Sequence, residues 1–158
     1  MITLRLKKAT YRHIEAEIYH YHDTLRAMQE LRTAIIMAAD KPELAAIVGG
    51  RFAGTSIVER RATKLADSIL LKEMERITTA ISDVYAKMRE DCREVLWVKY
   101  RLRIGDWTPS GELRAVVANK HADLNPDEIA AILHIDRVTY FRHRNRFIYG
   151  VAERLGWY

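Results

Sequence analysis

One cysteine, three prolines and seven glycines are all that 158 residues contain of the types that most often cross-link, kink or break a chain. A lone Cys92 excludes an internal disulfide and a multi-thiolate zinc site, is compatible with a reducing cytoplasm, and is expected to be a buried small hydrophobe. No apolar run approaches the roughly twenty residues that a membrane-spanning helix needs. Met1 to Ala9 carries basic residues without a long apolar core behind them, so no secretory signal is expected. Gly49-Gly50 lacks the downstream lysine and the strand-turn-helix setting of a phosphate-cradling loop, which argues against nucleotide hydrolysis. His20, His22 and Asp23 are clustered, but on a helix only His20 and Asp23 converge, and two ligands do not make a metal site. The acid pairs Asp67 with Glu73 and Glu90 with Asp91 have no nucleophile beside them and read as solvated helix faces. These absences lead to the expectation of an intracellular, cytoplasmic protein with no membrane association, no enzymatic activity, no metal and no cofactor.

What is present favours a folded, helix-rich chain: 49% of residues are hydrophobic, 30% are charged, and no solenoid period or low-complexity tract interrupts them. The length suits one ordinary domain, or a small domain with an extended helical arm. A net charge of +5 allows an anionic partner without demanding one, so the clustering of the charge decides.

The clustering lies between Asn125 and Leu155. Asn125 as N-cap, Pro126 at the first helical position and Glu128 at the third predict a capped helix with an apolar stripe of Ile129, Ala130, Ile132 and Leu133. His134-Ile135-Asp136 predicts a tight turn, with Ile135 plugging the angle between two helices and Asp136 capping the amides of the second. On that second helix Tyr140, Phe147, Val151 and Leu155 share an inward face. The opposite face is expected to carry Arg137, Thr139, Arg142, Asn145 and Arg146. Arginine donates bidentately to guanine, asparagine pairs with adenine and hydroxyls reach phosphate, so the pattern predicts a helix-turn-helix that reads double-stranded DNA in the major groove. An ordinary amphipathic helix with solvated arginines is the plainer alternative.

Ahead of this, Tyr11, Ile14, Ile18, Tyr21, Leu25, Met28 and Ile35 alternate threes and fours and predict one long helix whose partner is either its own chain or another copy. Pro42, Gly49, Gly50 and Gly54 place a loop over roughly Ala39 to Gly54. Arg51, Arg60, Arg61 and Lys64 make its far side basic, which reads as solvated surface in preference to a phosphate contact. A second long helix is expected from Thr55 or Ser56 to about Arg89, with one apolar stripe of Val58, Ala62, Leu65 and Ile69. A second stripe follows at Leu70, Met74, Ile77, Ile81, Val84 and Met88. The two helices suggest an antiparallel hairpin with apolar surface left to cover. Asp91 to Arg103 reads as a third helical element packed under the reader helix, with Trp97 as a large anchor. Glu112 to Ala118 fits a short helix or a strand equally well.

Three blocks of residues resemble the RinA/ArpU-type transcriptional regulators of bacteriophages and prophages. They are Tyr11 to Tyr19 with the helix that follows; Arg60 to Ala66 leading through Met74-Glu75-Arg76-Ile77, Ala80-Ile81 and Val84-Tyr85; and Val95 to Arg101 followed by Glu128-Ile129-Ala130, Thr139 to Arg142 and Ala152 to Gly156. The resemblance implies a C-terminal part like region 4 of sigma-70-type factors and a role in phage late-gene transcription. Arg137, Thr139, Arg142, Asn145 and Arg146 fall where its contacts to DNA would be expected. The chain departs from that family in a longer, glycine-containing connection between Arg103 and Asn125, and in His134 where the turn commonly has glycine.

The expected organisation is therefore all-α: a long, coiled-coil-like N-terminal helical hairpin over residues 1–90, serving as an oligomerisation arm, and a sigma-region-4-like helix-turn-helix domain over 91–158. The expected function is sequence-specific transcriptional regulation in the bacterial host's cytoplasm, with duplex DNA, host RNA polymerase and further copies of the chain as partners. A small terminase subunit that recognises packaging DNA, and a helical protein-protein adaptor that never touches DNA, are the alternatives.

Overall fold

The computed structural model describes residues 5–39, 53–120 and 123–158. Among the described residues all regular structure is helical: α1 (Lys8–Tyr19), α2 (Tyr21–Ala39), α3 (Ala53–Ala86), α4 (Glu90–Tyr100), α5 (Gly111–Ala118), α6 (Pro126–Leu133) and α7 (Arg137–Leu155). None of these helices is long and apolar enough to cross a membrane. Most of the loop expected over Ala39 to Gly54, with Arg51 in it, lies outside the described residues.

Element bounds differ from the sequence reading in several places. The single helix expected from Tyr11 is broken at His20, whose backbone (φ −94°, ψ 8°) leaves helical geometry while its N–H still bonds the Ala16 carbonyl at 3.1 Å. α3 begins at Ala53, with Gly54 inside it, and stops at Ala86 instead of about Arg89. There Lys87 and Met88 donate to the carbonyls of Val84 and Tyr85, tightening the last turn, and Arg89 turns extended (φ −73°, ψ 162°) to start α4. α4 ends at Tyr100, short of Arg103, because Arg101 enters the left-handed region (φ 55°, ψ 27°). The undecided stretch after Gly111 is helix α5: the Ser110 side chain accepts from the Leu113 N–H at 3.2 Å, and Leu113 and Val117, four apart, turn inward.

The chain forms two compact units, one of residues up to Tyr21 together with Thr79–Tyr158, the other His22–Thr78. A division at residue 90 does not follow these units, since α1 and the end of α3 belong with the C-terminal helices. In the first unit Val95 and Val98 of α4, Leu113 and Val117 of α5, Leu124, Ile129 and Ala130 of α6 and Tyr140 of α7 form a buried cluster. Cys92 is buried, and burial, helped by the Asp91 carboxylate, pushes its thiol up to about 12. α1 packs on α7: the Tyr11 hydroxyl donates to Asn145 Oδ1 at 2.8 Å, and the His13 and Trp157 rings lie 4.8 Å apart.

α7 and α3 meet at Gly150, where a Cβ would stand 2.8 Å from Val84 Cγ1. Val84 is buried and stiff about χ1, so it cannot swing aside. Alanine at 150 would gain about 1 kcal/mol in helix propensity, yet overpacking of about 1–3 kcal/mol is expected to outweigh it. Chemical denaturation of Gly150→Ala should therefore show net destabilisation, with the Gly150→Ala/Val84→Ala double variant less destabilised than the sum of the singles. Strict additivity would contradict this contact.

In the second unit Met28 and Thr78 are buried, Thr78 Oγ1 lies 2.8 Å from the Met74 carbonyl and 3.6 Å from Met28 Sδ, and Arg32 pairs with Glu75 at 2.6 Å. Ile36 and Met37 of α2 and Val58, Leu65, Ile69 and Leu70 of α3 are exposed. Every residue from Val58 to Ala66 is exposed, so no face of that stretch of α3 is covered.

Candidate nucleic-acid interface

The geometry that presents the outer face of α7 starts at the cap of α6. Asn125 Oδ1 accepts from the Glu128 N–H at 2.8 Å, and the Asn125 side-chain amide donates to the Glu128 carboxylate at 2.9 Å. The return bond of the expected capping box thus runs between side chains. α6 buries Ile129 and Ala130 and closes on His134, which adopts the left-handed conformation (φ 54°, ψ 40°). His134 and Ile135 donate to the carbonyls of Ala131 and Ala130 at 3.3 and 3.0 Å, a Schellman closure that fixes the chain's exit. Ile135 is partly buried and packs against the core cluster. Asp136 takes the N-cap position of α7, and its carboxylate accepts from the Thr139 hydroxyl. That bond holds the Asp136 carboxyl below its usual range, with the Arg142 guanidinium contributing.

α7 buries Tyr140, Phe147, Ile148, Val151, Ala152 and Leu155, so its inward face is fixed and the orientation of its other faces follows. The five residues singled out from sequence do not share one outward face. Arg142 and Arg146 are exposed and lie four apart. Arg137 is exposed but engaged, its guanidinium 3.6 Å from the Asp127 carboxylate and 5.5 Å from the Phe141 ring centre. Thr139 is half-buried and tied to Asp136, and Asn145 is half-buried with its side-chain carbonyl taken by Tyr11.

Two further residues matter to this face. Val138 is 63% exposed and stands four residues before Arg142, so Val138, Arg142 and Arg146 form the outward stripe. Its exclusion from the Tyr140-Phe147-Val151 spacing was the available signal. Arg144 looks like a further surface arginine, yet its guanidinium lies 5.5, 5.6 and 5.0 Å from the rings of Tyr11, Tyr140 and Phe141. It braces α1 against α7, and its position four residues after Tyr140, on the inward side, is the signal.

Burial raises the Tyr11 phenol from 10.0 to about 12, with the Arg144 guanidinium pulling the other way, and it raises Tyr100, whose hydroxyl donates to the Glu15 carboxylate at 2.8 Å. The folded state favours the neutral phenol, so this contribution is complete below pH 10 and is lost as pH rises through about 12. The melting temperature is expected to fall progressively above pH 10, and less steeply in Tyr11→Phe/Tyr100→Phe. Equal slopes for the two proteins would contradict the assignment.

Among the described residues no three His, Cys, Asp or Glu side chains are grouped to hold a metal ion. No family model, curated protein or solved structure matches the chain.

Proposed function

We propose that the protein is a sequence-specific duplex-DNA-binding transcriptional regulator in which α6 and α7 act as a helix-turn-helix and α7 enters the major groove. The observation that carries this reading is the outward stripe of Val138, Arg142 and Arg146 on a helix anchored along its other side and aimed by a left-handed three-residue turn. Arg142 offers a bidentate donor to guanine, and Val138 an apolar contact of the kind that suits a thymine methyl. Arg137 and Thr139 suit phosphates at the helix start, while Asn145 helps hold α7 on α1. The resemblance to phage late-gene regulators gives the reading its biological setting, including contact with host RNA polymerase.

The second unit supports a partner role in self-association. Val58, Ala62, Leu65 and Ile69 follow the four-three-four spacing of a coiled-coil seam, and isolated helices are marginal in water. An antiparallel α2–α3 hairpin, consistent with the Met28–Thr78 and Arg32–Glu75 contacts, would present this seam to a second copy. Two copies of the α6–α7 module would then address two half-sites. Leu65→Glu/Ile69→Glu is expected to shift the full chain from dimer to monomer in sedimentation equilibrium without lowering its helix content; an unchanged mass would remove the seam from the interface.

Selection of bound sequences from a random duplex pool with the purified full chain tests the function itself. A reproducible motif is the expected result, upstream of late genes when mapped to the phage genome. Recovery of no motif would exclude sequence reading, and sites confined to a packaging locus would favour a terminase subunit.

A further inference from the structure

Between the α3–α4 junction and the middle of α7 lies a cavity of about 240 Å³ lined by Lys87, Met88, Arg89, Asp91, Cys92, His143 and Arg146. Buried Cys92 and half-buried Met88, whose sulfurs are 3.5 Å apart, supply apolar lining, whereas the cationic Lys87, Arg89 and Arg146 are all exposed. Three cations face one carboxylate. Asp91 lies 4.0 Å from Arg89 Nε and 3.7 Å from His143 Nε2. Arg146 is the residue shared with the outward stripe of α7, one turn beyond Arg142 and so about 6 Å from it.

We propose that this pocket is a phosphodiester clamp that seats one or two backbone phosphates of the duplex beside the groove entered by α7. The inference rests on the duplex-reading proposal and reassigns Arg146 from base edge to backbone. Guanidinium forks match the paired oxygens of a phosphate, and a small basic concavity beside a groove-entering helix is met by a strand flanking that groove. The Asp91 carboxylate sets the class of phosphate: a diester with one negative charge is favoured by the cationic excess, whereas the second charge of a free phosphate dianion would be set against Asp91. The clamp carries no sequence information; it sets the depth and register at which Val138 and Arg142 meet the bases.

The test measures full-chain affinity for its selected duplex and for a scrambled duplex between 50 and 200 mM salt, by fluorescence anisotropy. Lys87→Ala/Arg89→Ala and Arg146→Ala are compared with Arg114→Ala/Lys120→Ala, which removes exposed charge away from the pocket. Removing the neutralisation of a single phosphate flattens the slope of log affinity against log salt by about 0.9. The pocket variants should flatten it by about one or two such steps and weaken both duplexes by the same factor, leaving sequence preference intact. The control should keep the wild-type slope. An unchanged slope in the pocket variants, with wild-type binding steeply salt-dependent, would overturn the clamp alone. A wild-type chain without salt-dependent duplex binding would overturn the duplex reading and the clamp together. Inorganic phosphate at matched ionic strength should compete no better than chloride; displacement seen in wild type and absent in Lys87→Ala/Arg89→Ala would assign the pocket to free phosphate and overturn the diester assignment.

Discussion

Phe147→Ala is expected to cost about 3–5 kcal/mol of stability, the range for truncating a fully buried aromatic side chain. Phe147 is 0% exposed and lies near the middle of α7, one turn before Val151 and one turn after the caged Arg144. Its removal takes away transfer free energy and leaves a cavity that stiff neighbours such as Val151 and Ile148 cannot readily fill. Because α7 supplies both the core face and the proposed DNA face, the loss should appear twice: as a lower denaturation midpoint, and as weaker duplex binding recovered at low temperature where the fold persists. A Phe147→Leu variant, which restores most of the volume, should retain the greater part of both. Wild-type stability in Phe147→Ala would mean that α7 is not anchored along this line.

Arg142→Ala is expected to behave in the opposite way, leaving stability within about 0.5 kcal/mol of wild type. It should cost about 1–3 kcal/mol of binding to the selected duplex, or about 5-fold to 150-fold. Arg142 is exposed and lies midway along the Val138–Arg146 stripe. Loss of a base-edge interaction weakens the preferred sequence and not the scrambled one, so discrimination shrinks while the salt slope changes by no more than about one phosphate. Arg142→Lys should recover only part of the loss, because an ammonium cannot reproduce the bidentate fork. Arg137→Ala should have the smaller effect, since its guanidinium is already shared between the Asp127 carboxylate and the Phe141 ring. Equal weakening of both duplexes by Arg142→Ala would move this residue from base edge to backbone.

Features governed by neighbours in sequence were legible, and those governed by distant ones were not. The Asn125-Pro126-Glu128 cap and the inward set Tyr140, Phe147, Val151 and Leu155 follow from spacing alone, because capping and amphipathicity act within one or two turns. α5 was legible in principle: Ser110 three residues before Leu113, with Val117 four further on, is a cap and an apolar face. The break at His20 has no glycine or proline to announce it; Ile14 and Ile18 on the α1 side and Met28 on the α2 side are buried in different compact units, and only the folded arrangement reveals that division. Asn145 suits a base contact by sequence alone because its partner, the Tyr11 hydroxyl, is 134 residues away in sequence. The enclosure of Arg144 is not legible in sequence because the rings around it come from two helices. Arg146 carried a similar ambiguity, since Lys87 and Arg89 join it only when the α3–α4 junction folds against α7.

The central claim is that the outer face of α7 distinguishes one duplex sequence from another, and it is tested most directly by titrating the full chain against its selected duplex and a scrambled duplex at one fixed salt concentration. The wild-type chain should prefer the selected duplex by a factor on the order of 10³ or more. The Arg137→Ala/Arg142→Ala/Arg146→Ala variant, checked to melt at the wild-type temperature, should bind both duplexes weakly and alike. Unchanged affinity and preference in that variant would show that α7 is not what reads the DNA.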